Sequence, residues 1–308
     1  MGALPLLVVI LGPTASGKSA LGNRLARETG GEILVCDSTQ VYRHFDIGTA
    51  KATAAERKEV HHHLVDLVEP EEVFTAGDFR RSALAALDDL RRRKVLPILT
   101  AGTGLYLRAL LEGLADAPGR SEELRARLRE KTARRGPQHL HRILARLDAE
   151  TARRIAPRDT QKIIRAIEMR MLAGKPVSEI HATGRSPLEG YTVKKIGLLP
   201  PRTELYNRIH ARTAAMIESG WVEEVQGLMA RHIPAEVKPF QFIGYPELRA
   251  HIEGRDSLAD AARQIEQATR RYAKRQITWF RKEPGVVWLQ DFGDSQEAFA
   301  AALRFVRE

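Results

Sequence analysis

The sequence has a single cysteine, Cys36, among its 308 residues. It can form no internal disulfide and no zinc site built from several cysteines, and we expect a reducing environment. No apolar run approaches the roughly 20 residues that a membrane helix needs. The amino-terminal run also lacks the cationic start and small-residue cleavage site of a signal peptide. These absences favour a cytoplasmic protein that does not associate with a membrane.

Basic residues outnumber acidic ones. The chain has 49 lysines and arginines against 39 aspartates and glutamates, which gives a formal net charge of +10. This excess suits a polyanionic partner such as RNA or DNA, although a basic enzyme with no nucleic acid to bind has it as well. Composition therefore favours a nucleic-acid partner only slightly, and the sequence motifs are needed to identify the partner.

A phosphate-binding motif lies near the amino terminus. The pattern G-x-x-x-x-G-K-[ST] is matched by Gly12, Pro13, Thr14, Ala15, Ser16, Gly17, Lys18 and Ser19. The aliphatic run Leu4–Leu11 precedes it as a buried strand would, and the helix-compatible segment Ala20–Thr29 follows. In such a loop, backbone N–H groups and the following helix bind an anion, Lys18 adds a charge, and the Ser19 hydroxyl holds Mg²⁺. We expect a bound diphosphate or triphosphate with Mg²⁺, in preference to a glycine-rich turn that binds nothing.

Short aliphatic runs alternate over most of the chain with helical patterns such as Ala76–Arg93. The runs are too short for core helices, and most are apolar throughout, which is typical of parallel strands covered on both faces. They are Leu4–Leu11, Ile33–Cys36, Val95–Thr100, Ile196–Leu199 and Val286–Leu289. The pattern predicts an α/β fold, in which a parallel sheet flanked by helices contains the phosphate loop.

The pattern changes between residues 118 and 187. Amphipathic helices are predicted at Ser121–Arg134, Gln138–Leu147 and Asp159–Ala173, and no strand pattern separates them. We predict an all-helical insertion domain over residues 118–187. The α/β body then comprises residues 1–117 and 188–308, with carboxy-terminal helices at Thr203–His232 and Ser257–Lys282.

Two further loops follow predicted strands, at Asp37–Tyr42 and Ala101–Tyr106. Ligands of open parallel sheets bind at the carboxyl ends of the strands, so both loops are expected to meet the phosphate loop in one cleft. Asp37 and Thr103 would then lie close to the bound phosphates. A carboxylate in that position binds Mg²⁺ or caps a loop, or it acts as a general base, and the residues alone leave these roles open.

The last long helix carries many positive charges. On a helical wheel its cations fall into two adjacent stripes, formed by Arg263, Arg270, Lys274, Arg281, Arg271, Arg275 and Lys282. So many cations favour a track for a phosphate backbone over an ordinary solvated face. Another side of the helix is predicted to pack in the core, and its residues are Ile265, Ala268, Tyr272 and Trp279.

Three consecutive histidines, His61, His62 and His63, raise the question of a metal site. Adjacent side chains diverge on a helix or a strand, so three in a row rarely converge on one ion. We therefore interpret them as loop or structural histidines.

Together these motifs resemble those of the bacterial tRNA dimethylallyltransferases, also called tRNA isopentenyltransferases. Segments that match the family occur in family order over nearly the whole chain. They are Gly12–Ser19, Asp37–Tyr42, Asp46–Lys51, His62–Asp66, Gly102–Tyr106, Gly174–Pro176, Ile243–Tyr245 and Thr269–Gln276. The D-S-x-Q-V-Y, D-I-G-T-A-K and A-K-R-Q-x-T-W-F segments are highly specific in combination, whereas the phosphate loop alone is not.

The resemblance implies transfer of a dimethylallyl group from dimethylallyl diphosphate to the exocyclic N6 of adenine 37, just 3′ of the anticodon in tRNA. It implies that Asp37 is the general base and that Thr103 lies near the reacting base. The other tRNA-contacting positions that it implies are Ser38, Thr39, Gln40, Gln161, Lys162, Ile163, Ile164, Arg165, Arg270, Lys274 and Arg275. The helical insertion would grip the anticodon stem-loop.

The expected chemistry places negative charge on the leaving diphosphate. Loop amides, Lys18 and Mg²⁺ on Ser19 would stabilise that charge, with Arg208 as a candidate second cation. We expect a cytoplasmic monomer.

Three alternatives share the phosphate loop. A nucleoside or metabolite kinase would use ATP and leave the basic stripes without a purpose. A transferase acting on free adenine nucleotides would not need the helical insertion. A non-catalytic RNA-binding switch would tolerate replacement of Asp37 by alanine.

Overall fold

The computed structural model describes residues 4–182 and 185–308. The chain divides into two units, one formed by Met1–Leu110 with Glu189–Glu308 and the other by Leu111–Leu188. The sequence places the insertion at residues 118–187, and two residues in that range, Thr183 and Gly184, lie outside the described residues.

The first unit contains a six-stranded sheet. Its strands are β1 (Leu6–Leu11), β2 (Glu32–Cys36), β3 (His62–His63), β4 (Pro97–Ala101), β5 (Thr192–Leu198) and β6 (Val286–Leu289). The strand order is β3-β2-β4-β1-β5-β6, and every neighbouring pair is parallel. The predicted α/β class is confirmed. The sequence does not predict β3, because a strand of two residues has no periodicity to detect.

Helices cover the sheet and form the second unit. Within the described ranges the helices are, in chain order, α1 (Lys18–Thr29), α2 (Ala54–Glu59), α3 (Ala76–Arg93), α4 (Gly104–Leu111), α5 (Glu122–Arg135), α6 (Pro137–Leu147), α7 (Ala149–Arg154), α8 (Thr160–Ala173), α9 (Val177–Ala182), α10 (Arg202–Glu218), α11 (Trp221–Ala230), α12 (Tyr245–Ile252), α13 (Leu258–Phe280) and α14 (Gln296–Arg307). A short 3₁₀ helix spans Lys238–Gln241. None of the helices in these ranges is both long enough and apolar enough to span a membrane.

Local sequence sets where the helices begin and end. At the start of α3, the Thr75 side chain accepts a hydrogen bond from the backbone N–H of Asp78. In return, the Asp78 side chain accepts a hydrogen bond from the backbone N–H of Thr75. This reciprocal capping satisfies two N–H groups that the first helical turn leaves unpaired.

The continuous helix predicted at Thr203–His232 is instead two helices, α10 and α11. Gly220 separates them with a φ of 98°, which a residue with a side chain rarely adopts.

The regular secondary structure described in the second unit from residue 112 onwards is all helical and comprises α5 to α9. Leu140, Leu144 and Ile163 are fully buried at its centre. Two acidic residues of this unit, Asp148 and Glu168, are also buried. The Glu168 carboxylate has no exposed surface and accepts two hydrogen bonds of 2.8 Å from Arg125. A third comes from Arg165 at 2.7 Å, so the buried charge is paired.

Candidate active site

Three loops of the first unit line one cavity of about 600 Å³. They follow β1, β2 and β4, which are neighbours in the sheet, so all three open at the carboxyl edge. The phosphate loop contributes Lys18 and Ser19, the second loop contributes Asp37, and the third contributes Gly102. The cleft expected from the order of the aliphatic runs is therefore present, with Asp37 beside the phosphate loop.

The Asp37 carboxylate is held in place at the end of β2. Its Oδ1 accepts from the backbone N–H of Thr39 at 2.9 Å and from the Thr39 hydroxyl at 2.7 Å. A Cβ built on Gly102 would lie 2.5 Å from Asp37 Oδ2, so a side chain at this position would displace the carboxylate. With Oδ1 occupied, Oδ2 is the oxygen best placed to accept a proton from a ligand.

Lys18 and Arg212 bring two half-buried cations to the cavity. Burial lowers the pKa of Lys18 to about 7; the Asp37 carboxylate opposes this effect and Arg212 adds to it. Burial also lowers the pKa of Arg212, again opposed by Asp37. Lys18 Nζ donates to the Pro13 carbonyl at 2.6 Å, and Arg212 Nη1 lies 3.4 Å from the Thr14 hydroxyl. A polyanion in the cavity would offset the desolvation of both cations.

Arg212 was not identified from the sequence, which favours Arg208 as the second cation. In the structure Arg208 donates to Asp294 Oδ1 at 2.7 Å and lies 3.7 Å over the Phe292 ring. Arg212 lies one helical turn further along α10 and lines the cavity. The helical period predicts that the two arginines lie on the same side of α10, because they are four residues apart. It does not predict which of them has a carboxylate partner.

Helix α13 connects two of the loops through the buried side chain of Gln276. Its Oε1 accepts from the backbone N–H of Thr14 at 2.7 Å, and its Nε2 donates to the Gly102 carbonyl at 2.8 Å. Tyr272, one turn earlier, donates its hydroxyl to the same carbonyl at 3.3 Å. The Thr14 amide, expected to face a phosphate, is thus engaged by Gln276 in this conformation.

The wall of the cavity away from the phosphate loop is partly apolar. The apolar residues that line it include Met216, Trp221, Phe242, Ile243 and Ile265. Trp221 and Ile265 are almost fully buried. A cavity with cations at one position and hydrocarbon side chains at another suits a ligand that has a charged head and an apolar tail.

The loop positions predicted to contact tRNA lie in or beside this cavity. Ser38, Thr39 and Gln40 line it. The Thr103 hydroxyl accepts from the backbone N–H of Ser38 at 3.0 Å and donates to the Ser38 hydroxyl at 3.2 Å. Gln40 donates to the Thr49 carbonyl at 3.0 Å. Thr103 therefore connects the second and third loops.

The predicted contact residues of α13 differ in exposure. Lys274 and Arg275 are exposed, and Arg275 also lines the cavity. Arg270 is half-buried and lies 3.5 Å from a Glu266 oxygen. Trp279 was predicted to be a core residue and is instead 37% exposed, with the Arg108 guanidinium 4.7 Å from its ring centroid. That prediction was wrong because Phe280, and not Trp279, is the residue that the last turn of α13 buries in the core.

The predicted contacts on α8 need a correction. Ile163 and Ile164 are 0% and 5% exposed in the core of the second unit, so their side chains are not available to RNA. Gln161 and Lys162 are exposed, with Lys162 2.6 Å from Asp159. Arg165 is half-buried and paired with Glu168. A contiguous stretch of helix cannot present every residue to one partner, because its side chains turn through a full circle in 3.6 residues.

The fold and the cavity define a P-loop α/β enzyme with two cations and a fixed carboxylate in one cavity. The family model described as IPP transferase matches residues 40–283 of the chain. The chain belongs to this family, which confirms the resemblance in the sequence.

Named relatives agree with this assignment. The chain is 50% identical over 297 residues to the tRNA dimethylallyltransferase of Solibacter usitatus, with 96% of each chain covered. It is similar to the crystal structure of the full-length tRNA isopentenylpyrophosphate transferase of Bacillus halodurans, with a TM-score of 0.71 and 36% identity over 98% of this chain and 95% of that one. A eukaryotic dimethylallyltransferase, crystallised in snapshots of its action on tRNA, matches with a TM-score of 0.81 and 26% identity. That comparison covers 98% of this chain and 80% of the other.

Proposed function

We propose that this enzyme transfers the dimethylallyl group of dimethylallyl diphosphate to the exocyclic N6 of adenine 37 in tRNA. The products are N6-(dimethylallyl)adenosine in the anticodon loop and free diphosphate. The observation that carries the proposal is that Lys18, Arg212 and Asp37 line a single cavity that also has an apolar wall. The cations suit the diphosphate, the apolar wall suits the five-carbon chain, and the carboxylate suits an amine that must lose a proton.

The bond changes follow from these groups. The bond between the allylic carbon and the diphosphate oxygen breaks, and its electron pair leaves with the diphosphate. Lys18, Arg212 and the phosphate-loop amides stabilise the charge that develops there. The N6 lone pair forms the new bond to the allylic carbon, and Asp37 accepts the N6 proton, a contribution of about 10²–10⁴-fold. The adenine has to leave the anticodon-loop stack to reach the cavity.

The residues of the phosphate loop fit a magnesium ion. Ser19 is exposed and lines the cavity next to Lys18, and a hydroxyl together with phosphate oxygens forms the hard donor set that Mg²⁺ prefers. Ser19 would hold the ion, which would add positive charge near the leaving oxygens. Lys18 and Arg212 stabilise the same oxygens independently.

Binding of the anticodon stem-loop is proposed for the exposed cations Lys274 and Arg275 and for the helical second unit. The reaction would take place in the cytoplasm on a monomer. If the second unit closes on tRNA, its amides should exchange more slowly with deuterium when tRNA is bound. Equal exchange with and without tRNA would contradict that role.

The test of the proposal is a comparison of donors and acceptors. Radiolabelled dimethylallyl diphosphate and ATP are each incubated with the protein and unmodified tRNA, and parallel samples contain free adenosine monophosphate instead. Label on tRNA from dimethylallyl diphosphate alone is the expected result. Label from ATP would favour a kinase, and label on the free nucleotide would favour a transferase for small acceptors.

Replacement of Asp37 by alanine separates catalysis from binding. Asp37→Ala should abolish transfer and leave tRNA affinity largely intact, because the carboxylate acts on the proton. Filter binding and single-turnover transfer measure the two quantities on one preparation. Transfer at the wild-type rate would remove Asp37 from the chemistry and favour an RNA-binding switch.

A further inference from the structure

A group of side chains able to ligate a metal ion lies near one edge of the sheet, on β2 and at the start of the edge strand β3. Alternate residues of a strand point to the same face, so His61 and His63 share one face and His62 points to the other. His62 lines the cavity already described, and its Nδ1 lies 2.8 Å from the Val60 carbonyl oxygen. Ile33 of β2 pairs with His62, which puts Glu32 on the same face as the other two histidines.

The three side chains on that face are close together. One ligand atom from each of Glu32, His61 and His63 lies within 4.8 Å of the other two. His63 Nε2 is 2.6 Å from Glu32 Oε2, and the rings of His61 and His63 meet edge to face with centroids 4.4 Å apart. The sequence interpretation, that three consecutive histidines do not converge, holds for neighbours but misses the pair two residues apart.

We propose that Glu32, His61 and His63 bind one divalent transition-metal ion, with Zn²⁺ as the best match. Two imidazole nitrogens and one carboxylate oxygen are ligands that zinc accepts in proteins, with water in the fourth position. Ligand atoms around one tetrahedral ion lie roughly 3.4 Å apart, so the observed spacing requires only small side-chain rotations. His61 is exposed and therefore able to make them.

The backbone supports this arrangement because the ligands come from two hydrogen-bonded strands. The Ile33 N–H donates to the His61 carbonyl at 2.9 Å, which fixes β3 against β2 at this position. An ion held by Glu32 on β2 and by both histidines would join the two strands a second time. Binding should therefore stabilise the folded state.

Arg93 competes with a metal ion for the Glu32 carboxylate. Its Nη1 and Nη2 donate to the two Glu32 oxygens at 2.6 and 2.9 Å. These hydrogen bonds lower the pKa of Glu32 to about 2, so the carboxylate is ionised and needs no deprotonation. Arg93 also has a second partner in Asp89, at 2.8 Å, to which it can remain bound. The cation should weaken metal binding, and its removal should strengthen it.

The experiment is calorimetric titration of untagged, metal-free protein with ZnCl₂, without tRNA or diphosphate. We expect one strong site in the wild type. The variant His61→Ala should bind Zn²⁺ about tenfold more weakly or worse. Loss of a residue that only supports a ligand already costs about that much, and His61 is itself a ligand. His62→Ala is the matched control, a neighbouring histidine on the opposite face, and should bind as the wild type does. Arg93→Gln should bind more tightly than the wild type.

A second readout uses Co²⁺ in place of Zn²⁺. Visible absorption bands from Co²⁺ should appear in the wild type and in His62→Ala, and should be lost in His61→Ala. Circular dichroism checks that each variant is folded. Equal affinity in wild type and His61→Ala, or no binding to a folded wild-type protein, would overturn the proposal. Because none of these measurements uses the transfer reaction, they fail or succeed independently of the proposed function.

Discussion

Lys18 and Arg212 face the cavity at a cost in desolvation, which shows in the lowered pKa values of both side chains. A buried cation with too little counter-charge is poorly stabilised in the free protein and gains when an anion enters. The two residues are therefore prepared for a polyanionic ligand before it arrives. This condition gives two predictions at the scale of single residues.

The first concerns the two arginines of α10. Arg212→Gln removes a cation from the cavity and should lower the transfer rate by about 10²–10³-fold, the usual effect of losing one donor to a developing anion. Arg208→Gln breaks the exposed pair with Asp294 and should have a much smaller effect. Single-turnover rates with saturating tRNA measure both. Equal losses would restore Arg208 as the second cation expected from the sequence.

The second concerns proton uptake by Lys18. Its pKa of about 7 in the free protein should rise when diphosphate binds, because the anion favours the charged amine. Below pH 7 the amine is already protonated. Above pH 7 binding must add a proton, so affinity for dimethylallyl diphosphate should fall as pH rises, with uptake of up to about one proton.

Calorimetry at pH 8 in two buffers of different ionisation enthalpy measures this uptake. The variant Lys18→Arg keeps the charge at all accessible pH values and corrects for titration of the ligand itself. Uptake of the same size in Lys18→Arg and the wild type would show that the proton goes elsewhere.

At the scale of elements, the D-I-G-T-A-K segment is a structural connection. The ammonium group of Lys51 is buried and donates to the Tyr42 carbonyl at 2.5 Å, to Asp46 at 2.7 Å and to Asp66 at 2.6 Å. The Glu224 carboxylate of α11 accepts from the backbone N–H groups of residues 46–48. The segment thus fixes the chain that follows the second loop of the cavity.

Replacement of Lys51 should therefore reduce stability. Lys51→Met removes a donor from the Tyr42 carbonyl and an ion pair from each of Asp46 and Asp66, of which Asp66 keeps its pair with Arg57 at 2.7 Å. The loss should be about 2–3 kcal/mol, less than for a fully buried pair because Asp46 is 58% exposed. Urea unfolding measures it, with the exposed Lys58→Met as the matched control. Equal midpoints for the two variants would contradict a structural role.

The elements also show what the sequence could predict. Helix α3 has the predicted bounds, Ala76–Arg93, because its caps and its apolar period agree. The meeting of the three loops could be predicted because fully apolar runs indicate parallel strands. The carboxyl ends of such strands lie at the same edge of the sheet. Arg212, Gln276 and the apolar wall were not predicted, because they come from α10, α11, α13 and the loop before α12, which reach the cavity only through tertiary packing. No local pattern in those helices indicates which residues will face the phosphate loop.

For the molecule as a whole, the net charge of +10 predicts that tRNA binding depends on salt. Each phosphate contact releases counterions, so the logarithm of the affinity should fall linearly with the logarithm of the salt concentration. Long-range attraction also raises the association rate, and it weakens beyond about 8 Å at physiological ionic strength. The measured slope therefore reports how many cations touch the backbone.

Lys274 provides the sharpest test of this electrostatic contribution, because it is exposed on the basic face of α13. Lys274→Ala should reduce the magnitude of the salt slope by about one and weaken binding to all acceptor tRNAs alike, since phosphates carry no sequence information. The matched control is Arg307→Ala on α14, which removes the same net charge from a residue paired with Glu28 at 2.9 Å. If the two variants changed the slope equally, the net charge would account for the affinity, and α13 would not be the surface that follows the RNA backbone.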